Sequence, residues 1–383
     1  MTTLESLKTQ INSVISLYSN GQMQEALDSV ETLIKDYPNE PLLYNVGGAC
    51  YAGLGQLDAA VKSYERALDI NPDYAEAHNN LGVTLQGLSQ LDDAVRSLEK
   101  ALDIKPDYAE AHNNLGNAFK DLGQLDTAVK SYEQAIYIKP DFADAHYNLG
   151  SVLKEIGQLD TALKSYEQVL AIKPGYIEAF NNLGSVLEEL GQLDTAVKSY
   201  EKILTINPDF AEAHYNLGVT LEGLDQLDEA LKSYEQAIDI KPDYAEAYYN
   251  LGGTLEELGR LDDAVKSLEQ AIEIKPDYAE AHNNLGNAFK DLGQLDAAVK
   301  SYEQAIDIKP DYAEAHYNLG SVLKELGQLD DAVKSYEQAI EIKPDFAEAH
   351  NNLGIALNEL GQLDDAVKSY EQAIEIKPDF AEA

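Results

Sequence analysis

Nine asparagines stand at intervals of 34 residues: Asn80, Asn114, Asn148, Asn182, Asn216, Asn250, Asn284, Asn318 and Asn352. Each sits in a stretch such as "AEAHNNLG", which opens at Ala75 and returns at Ala109. A side-chain amide offers a donor and an acceptor, the same pair that a peptide group presents. Asn is also a mediocre residue for a helix interior, and that disadvantage recurs in every copy. A row of amides at repeat spacing would grip the backbone of an extended chain without reading its side chains. The same row would serve equally to bond neighbouring copies together, or would simply descend from a duplicated ancestor. Tyr147, Tyr215, Tyr249 and Tyr317, each one position before an asparagine, would add an aromatic floor beside it.

Other residues with chemical potential point to bland roles. His78, His112, His146, His214, His282, His316 and His350 share one position of the period, which Tyr44, Phe180 and Tyr248 take in other copies. Neighbouring helices lie about 8–10 Å apart, too wide for two such histidines on one zinc, so packing is expected and no metal. Asp92/Asp93 and Asp330/Asp331 lack the Asp-x-Asp-x-Asp-Gly loop of a calcium site and read as solvated helix starts. Cys50 is the single cysteine, which excludes an intrachain disulfide and a cysteine zinc site; a small core residue is expected. No phosphate-binding Gly-Lys loop occurs, and the recurrent serines such as Ser131 and Ser301 have no acid–base partner in sight. With no catalytic constellation, a non-enzymatic chain without a cofactor is expected.

The elements that position these residues follow from the prolines. Pro38, Pro72, Pro106, Pro140, Pro174, Pro208, Pro242, Pro276, Pro310, Pro344 and Pro378 are 34 residues apart, and only Pro41 is out of phase. Eleven units result, from 7–40 to 347–380. A longer echo overlies them: 109–142 nearly matches 279–312, and 143–176 resembles 313–346, an offset of 170. In unit 75–108, Ala77, Leu81, Leu85 and Leu88 form one helical stripe, and Ala94, Val95, Leu98, Ala101 and Leu102 a second. Asp92 is the expected N-cap of the second helix, and Asp107 with Glu110 the expected capping box of the next first helix. Each unit is therefore two antiparallel helices joined by short turns. On the first helix, Glu76, Asn80 and Val83 share a face turned away from Leu81 and Leu85.

His78, Leu81, Gly82, Leu85, Ala94, Leu98 and Pro106 occupy positions 4, 7, 8, 11, 20, 24 and 32 of their unit. This pattern resembles the tetratricopeptide repeat family over residues 7–380. The resemblance implies an all-α α-solenoid, a right-handed superhelix of about eleven helix-turn-helix repeats, with first helices on its concave face. Residues 1–40 read as an atypical N-terminal capping repeat, since Ser13 and Val14 stand where Leu-Gly is expected. Residues 41–380 read as ten repeats and 381–383 as the truncated start of a further one. The asparagine row is similar to the asparagine ladder in the tetratricopeptide domain of O-linked N-acetylglucosamine transferase. The family's carboxylate clamp needs a base at position 2, where Glu or Asp stands in nearly every unit.

Departures from the pattern carry information. Ser89 and Asp225 replace a turn glycine that needs positive φ. Around Pro174, Gly175 replaces a capping Asp, Ile177 an Ala and Phe180 a His, with Val169 and Ile203 in place of small alanines. An altered joint is expected there. The net charge is −40. It disfavours nucleic acid and anionic membranes and favours neutral to basic protein or peptide partners. The N-terminus has no basic region leading into an apolar core, so a cytoplasmic location is expected. The resulting reading is a protein–protein interaction scaffold that binds extended peptides in its groove. Two alternatives stand beside it. One is a self-assembling solenoid, associating head to tail through an uncapped C-terminal repeat. The other is the substrate-recruiting arm of an enzyme whose catalytic domain lies outside this chain.

Overall fold

A computed structural model describes residues 3–378, with side chains from Leu7 onward. Among the described residues there are 22 helices and no strands, from α1 (Thr3–Ser19) and α2 (Met23–Asp36) to α21 (Ala347–Glu359) and α22 (Leu363–Ile376). The chain is an all-α solenoid of about eleven helix-pair repeats. Residues 381–383 lie outside the described residues. None of the helices is long and apolar enough to cross a membrane.

The two helices of a repeat close on each other because one contact residue has no side chain. A Cβ on Gly82 of α5 (Ala75–Gly87) would lie 2.6 Å from Leu98 Cγ of α6 (Leu91–Ile104). On Gly116 of α7 (Ala109–Asp121) it would lie 2.5 Å from Tyr132 of α8 (Leu125–Ile138). Leu98 and Tyr132 are fully buried beneath these glycines, each stabilising its pair by about 1.5–3 kcal/mol through burial. Tyr132 stays satisfied because its hydroxyl donates to Asn117 Oδ1 at 2.8 Å.

The turn between paired helices is left-handed at one residue. Gly123 has φ 72°, its N–H donates to Lys120 O at 2.8 Å, and the Gln124 N–H donates to Phe119 O at 2.8 Å. These are the two bonds of a Schellman ending. Ser89 and Asp225 hold the same conformation at φ 60° and 61° despite their side chains, as the glycine pattern implied. The expected caps are corrected. Gln90 precedes α6 and Tyr108 precedes α7, and neither helix has a side-chain cap. Asp92 and Glu110 lie inside the first turns, where they face the positive end of the helix dipole instead.

The described residues divide into two compact units, one ending at Gly191 and one beginning at Gln192. Within each unit the second helix of a repeat packs on the first helix of the next, as α6 does on α7 and α20 (Leu329–Ile342) on α21. First helices also touch their counterparts one repeat away, while second helices show no comparable mutual contact among the described residues. Within a unit the first helices therefore form the crowded side of the stack and the second helices the open side.

Candidate functional site

The asparagine row lies on the crowded side, and all nine members are half-buried. Their amides reach back to the preceding repeat. Asn80 Nδ2 donates to Asn45 Oδ1 at 3.1 Å, Asn114 to Asn79 at 2.9 Å and Asn148 to Asn113 at 3.0 Å. Asn318 donates to Asn283 Oδ1 at 3.0 Å. Where the preceding repeat carries tyrosine, the hydroxyl takes the amide's place. Asn182 donates to Tyr147 Oη at 3.0 Å, Asn250 to Tyr215 at 3.2 Å and Asn352 to Tyr317 at 3.0 Å. Each of these acceptors sits 35 residues earlier, at position 5 of the preceding repeat; Asn148 and Asn318 also donate to Asn117 and Asn287, 31 residues earlier, at 3.1 and 3.3 Å. These bonds leave Oδ1 of Asn114, Asn148, Asn182, Asn250, Asn318 and Asn352 out of the exchange. The result is a strip of amides and phenols, each oriented by its neighbour.

The four strip tyrosines are half-buried, each against a second aromatic ring. Tyr147 stacks on Tyr176 with centroids 5.3 Å apart, and Tyr215 meets Tyr244, Tyr249 meets Tyr278 and Tyr317 meets Phe346 at 4.9–5.0 Å. A lysine covers the outer ring. Lys173 Nζ lies 5.4 Å from the Tyr176 centroid, and Lys241 4.3 Å from that of Tyr244. In several repeats the same lysine pairs with the acid at position 2: Lys139 with Glu110 at 3.2 Å, Lys173 with Asp144 at 2.9 Å and Lys377 with Glu348 at 3.2 Å. The Glu348 carboxyl is held below its usual range by its own backbone N–H, against a burial penalty and with help from Lys377 and Lys343. The acidic row beside the asparagines is thus largely paired, although such exposed pairs stabilise by only about 0–1 kcal/mol each.

The histidine row has a function that sequence reasoning missed. Nε2 of every histidine lies 3.0–3.2 Å from the proline carbonyl oxygen six residues earlier, from His78 and Pro72 to His350 and Pro344. A carbonyl only accepts, so Nε2 carries the proton; Nδ1 of His78 is buried without a partner. The row ties the start of each first helix to the turn before it. Tyr44 does the same, its hydroxyl donating to Pro38 O at 3.1 Å. The recurring His-after-Pro interval of six was the available signal. No cluster of three or more His, Cys, Asp or Glu is placed to hold a metal among the described residues. Cys50 is buried and its thiol pKa is raised by burial.

Farther along the first helices, positions 12 and 13 meet across the repeat joint. Gln86 Nε2 donates to Asp121 Oδ2 at 2.7 Å, and Lys154 pairs with Glu189 at 3.2 Å while donating to Ser185 Oγ at 2.6 Å. The same register between α15 (Ala245–Glu257) and α17 (Ala279–Asp291) sets Glu256 against Asp291. Burial first, then Asp291 and Glu257, push the Glu256 carboxyl up to about 7.

Comparison with known proteins agrees with this architecture. The family model described as "TPR repeat" matches residues 48–89, 87–123, 116–157, 150–191, 189–225, 224–259, 254–293, 286–327 and 320–361, and that described as "Tetratricopeptide repeat" matches 347–380. No curated protein sequence matches. Among solved structures, MamA is 31% identical, with 44% of this chain and 98% of that one covered at a TM-score of 0.41. YrrB, described as a TPR protein with an unusual peptide-binding site, is 27% identical over 49% of this chain and 96% of its own, at 0.44. Yeast Tom70 is 15% identical over 97% and 92%, at 0.46. With family models matched over most of its length, the chain belongs to the tetratricopeptide repeat family.

Proposed function

We propose that this protein is a non-enzymatic cytoplasmic scaffold that holds extended peptide segments along the face of its first helices. A role in protein–protein interaction fits the repeat family, and the strip supports the finer reading. Its amides are oriented by bonds to the preceding repeat before any ligand arrives, and such preorganisation lowers the entropy lost on binding. Asn80, Asn114, Asn148, Asn182, Asn216, Asn250, Asn284, Asn318 and Asn352 would bond the ligand backbone, and Tyr147, Tyr215, Tyr249 and Tyr317 would floor it. With a net charge of −40, the chain favours neutral to basic segments over nucleic acid or anionic membrane. Residues 1–40 would cap the ten repeats of 41–380.

Each amide–peptide bond contributes about 0.5–1.5 kcal/mol net, so affinity rests on several repeats acting together. Replacing Asn250, Asn284, Asn318 and Asn352 together by Ala should weaken a captured partner about tenfold to several hundredfold in calorimetric titration. Helicity should be retained. Because the substitutions also remove inter-repeat bonds, urea unfolding is followed in parallel. Parental affinity in the quadruple variant would make the row a packing feature only.

The last described helix favours a second reading, self-association. Leu363, Val367 and Ile374 of α22 are 60%, 53% and 44% exposed, whereas Ala373 is fully buried. The repeat at residues 7–40 of another copy would cover this face head to tail. Appending a polar capping helix after α22 should then abolish association in sedimentation. A parent that stays monomeric at high concentration sinks the idea.

A further inference from the structure

Position 5 of each first helix carries the strip's acceptor, and it is tyrosine in two successive repeats at one place only: Tyr215 of α13 (Ala211–Glu222) and Tyr249 of α15. One turn on from Tyr249 a side chain is missing. Position 9 is Val, Asn, Ser or Ile in most first helices, but in α15 it is Gly253, and a Cβ built there meets nothing within 4 Å. Val219, at position 9 of α13, is 37% exposed. At the far end stand the carboxylates of Glu256 and Asp291. The structure shows what this register accommodates elsewhere: an amide between Gln86 and Asp121, and an ammonium between Lys154 and Glu189. Between α15 and α17 neither acid finds a base in this register among the described residues. Glu222, at position 12 of α13, accepts from the Tyr234 hydroxyl at 2.7 Å. Lys290 on α17 is no counterion across this joint by analogy with its duplicate Lys120, which reaches forward to Ser151 at 3.3 Å.

We infer that this stretch receives a partner segment in which a lysine or arginine stands next to an aliphatic or aromatic residue. The basic group lies between Glu256 and Asp291, and its neighbour sits over Gly253 between the rings of Tyr215 and Tyr249. The inference rests on the strip reading above and adds a sequence preference that amides alone do not supply. Charge complementarity carries it: a cation entering here takes the place that Lys154 fills in its own repeat, and relieves the repulsion of two neighbouring carboxylates. The groups facing Glu256 are Glu257 on its own helix, Tyr249 one turn and more before it, and Asp291 with Tyr302 of the next repeat. None brings a positive charge. A bound ammonium favours the ionised carboxyl, so affinity for a basic segment should rise as pH increases through about 7.

The test uses the full chain and three fluorescently labelled synthetic peptides, identical except for a central pair: Arg-Leu, citrulline-Leu and Arg-Ser. Anisotropy titration should show Arg-Leu bound about tenfold or more tightly than either analogue. Glu256→Gln with Asp291→Asn should erase the advantage of Arg over citrulline, and Gly253→Leu the advantage of Leu over Ser, with helicity unchanged in both variants. Equal affinity of the parent for all three peptides overturns the inference and leaves the strip reading standing. Failure of all three to bind overturns both. An Arg-Leu preference that persists at unchanged affinity after Asn318→Ala and Asn352→Ala sustains the inference while taking those amides out of the interaction.

Discussion

The joint after Pro174 and the joint after Pro344 are the same place in two copies of a duplicated block, and they differ in what surrounds the strip. Both keep the strip bond: Asn182 donates to Tyr147 and Asn352 to Tyr317, each at 3.0 Å. Both keep the ring contact, although Tyr147 and Tyr176 lie at 26° and Tyr317 and Phe346 at 41°. The scaffolding is another matter. His350 bonds the Pro344 carbonyl at 3.1 Å, and Phe180 has no nitrogen to do so. Ala347 is 3% exposed, whereas Ile177 in its place stays half-exposed. Val169 is fully buried where Ala339 stands in the other copy, and it joins Ala143 and Ala179 in a separate small core. The joint after Pro174 is therefore altered in its packing and in its bond to the proline carbonyl, while the strip bond and the ring contact persist. The strip bond is thus the same in both copies although the packing around it differs.

The comparison can be broken most severely inside the repeats. Tyr166 and Tyr336 are 1% and 0% exposed under Gly150 and Gly320. Tyr166→Ala and Tyr336→Ala should each destabilise by about 3–5 kcal/mol in urea unfolding. Equal losses would confine the difference to the joints; a much smaller loss at Tyr166 would mean that looseness has spread into the repeat itself. A third joint, between α15 and α17, gives the next largest effect. The Glu256 carboxyl titrates near 7 when folded and near 4.5 otherwise. The folded chain binds the extra proton between those values, so stability falls as pH rises through that window. Glu256→Gln should raise stability by about 1–2 kcal/mol at about pH 8, less than the whole shift because the carboxyl is partly hydrated, and the gain should vanish below about pH 4.5. A gain independent of pH would point to packing instead. The smallest effect isolates the histidine. His350→Ala should cost about 1 kcal/mol, and Phe180→His should recover a similar amount at the other joint. Hydrogen exchange over 170–182 and 340–352 reads both: the first segment starts less protected, and the two substitutions should bring the segments together. Equal protection in the parent would remove the weak joint altogether.

Much of this was legible because it is local. The proline interval and the spacing of Leu81, Gly82, Ala94 and Leu98 reveal helix pairs, since a 3.6-residue period and a missing side chain act within a few residues of themselves. Ser89 and Asp225 were readable as left-handed for the same reason. The caps misled because Asp is a good cap in general, but here the chain enters α6 two residues earlier than Asp92, at Gln90, and α7 one residue later than Asp107, at Tyr108. What stayed hidden depends on residues 29 or 35 positions away. Lys139 finds Glu110, and Asn148 finds Asn113, only after the repeats have stacked. No period in the sequence states which of two identical rows bonds to which. The tyrosine hydroxyls of the strip were invisible in that way too: an aromatic floor was expected, and the phenol oxygens turn out to be acceptors that replace an amide.

The strip's amide bonds between repeats run one way. Within each unit the amide N–H points toward the repeat that precedes it in the chain, never toward the one that follows. A row of equal groups has no heads or tails; this row has both, like a line of arrows. At each step the later repeat supplies the donor and the earlier one the acceptor, and a peptide laid along it is likewise a directed object. Parallel and antiparallel placements of one strand are then different compounds to this surface, distinguishable before any side chain is consulted.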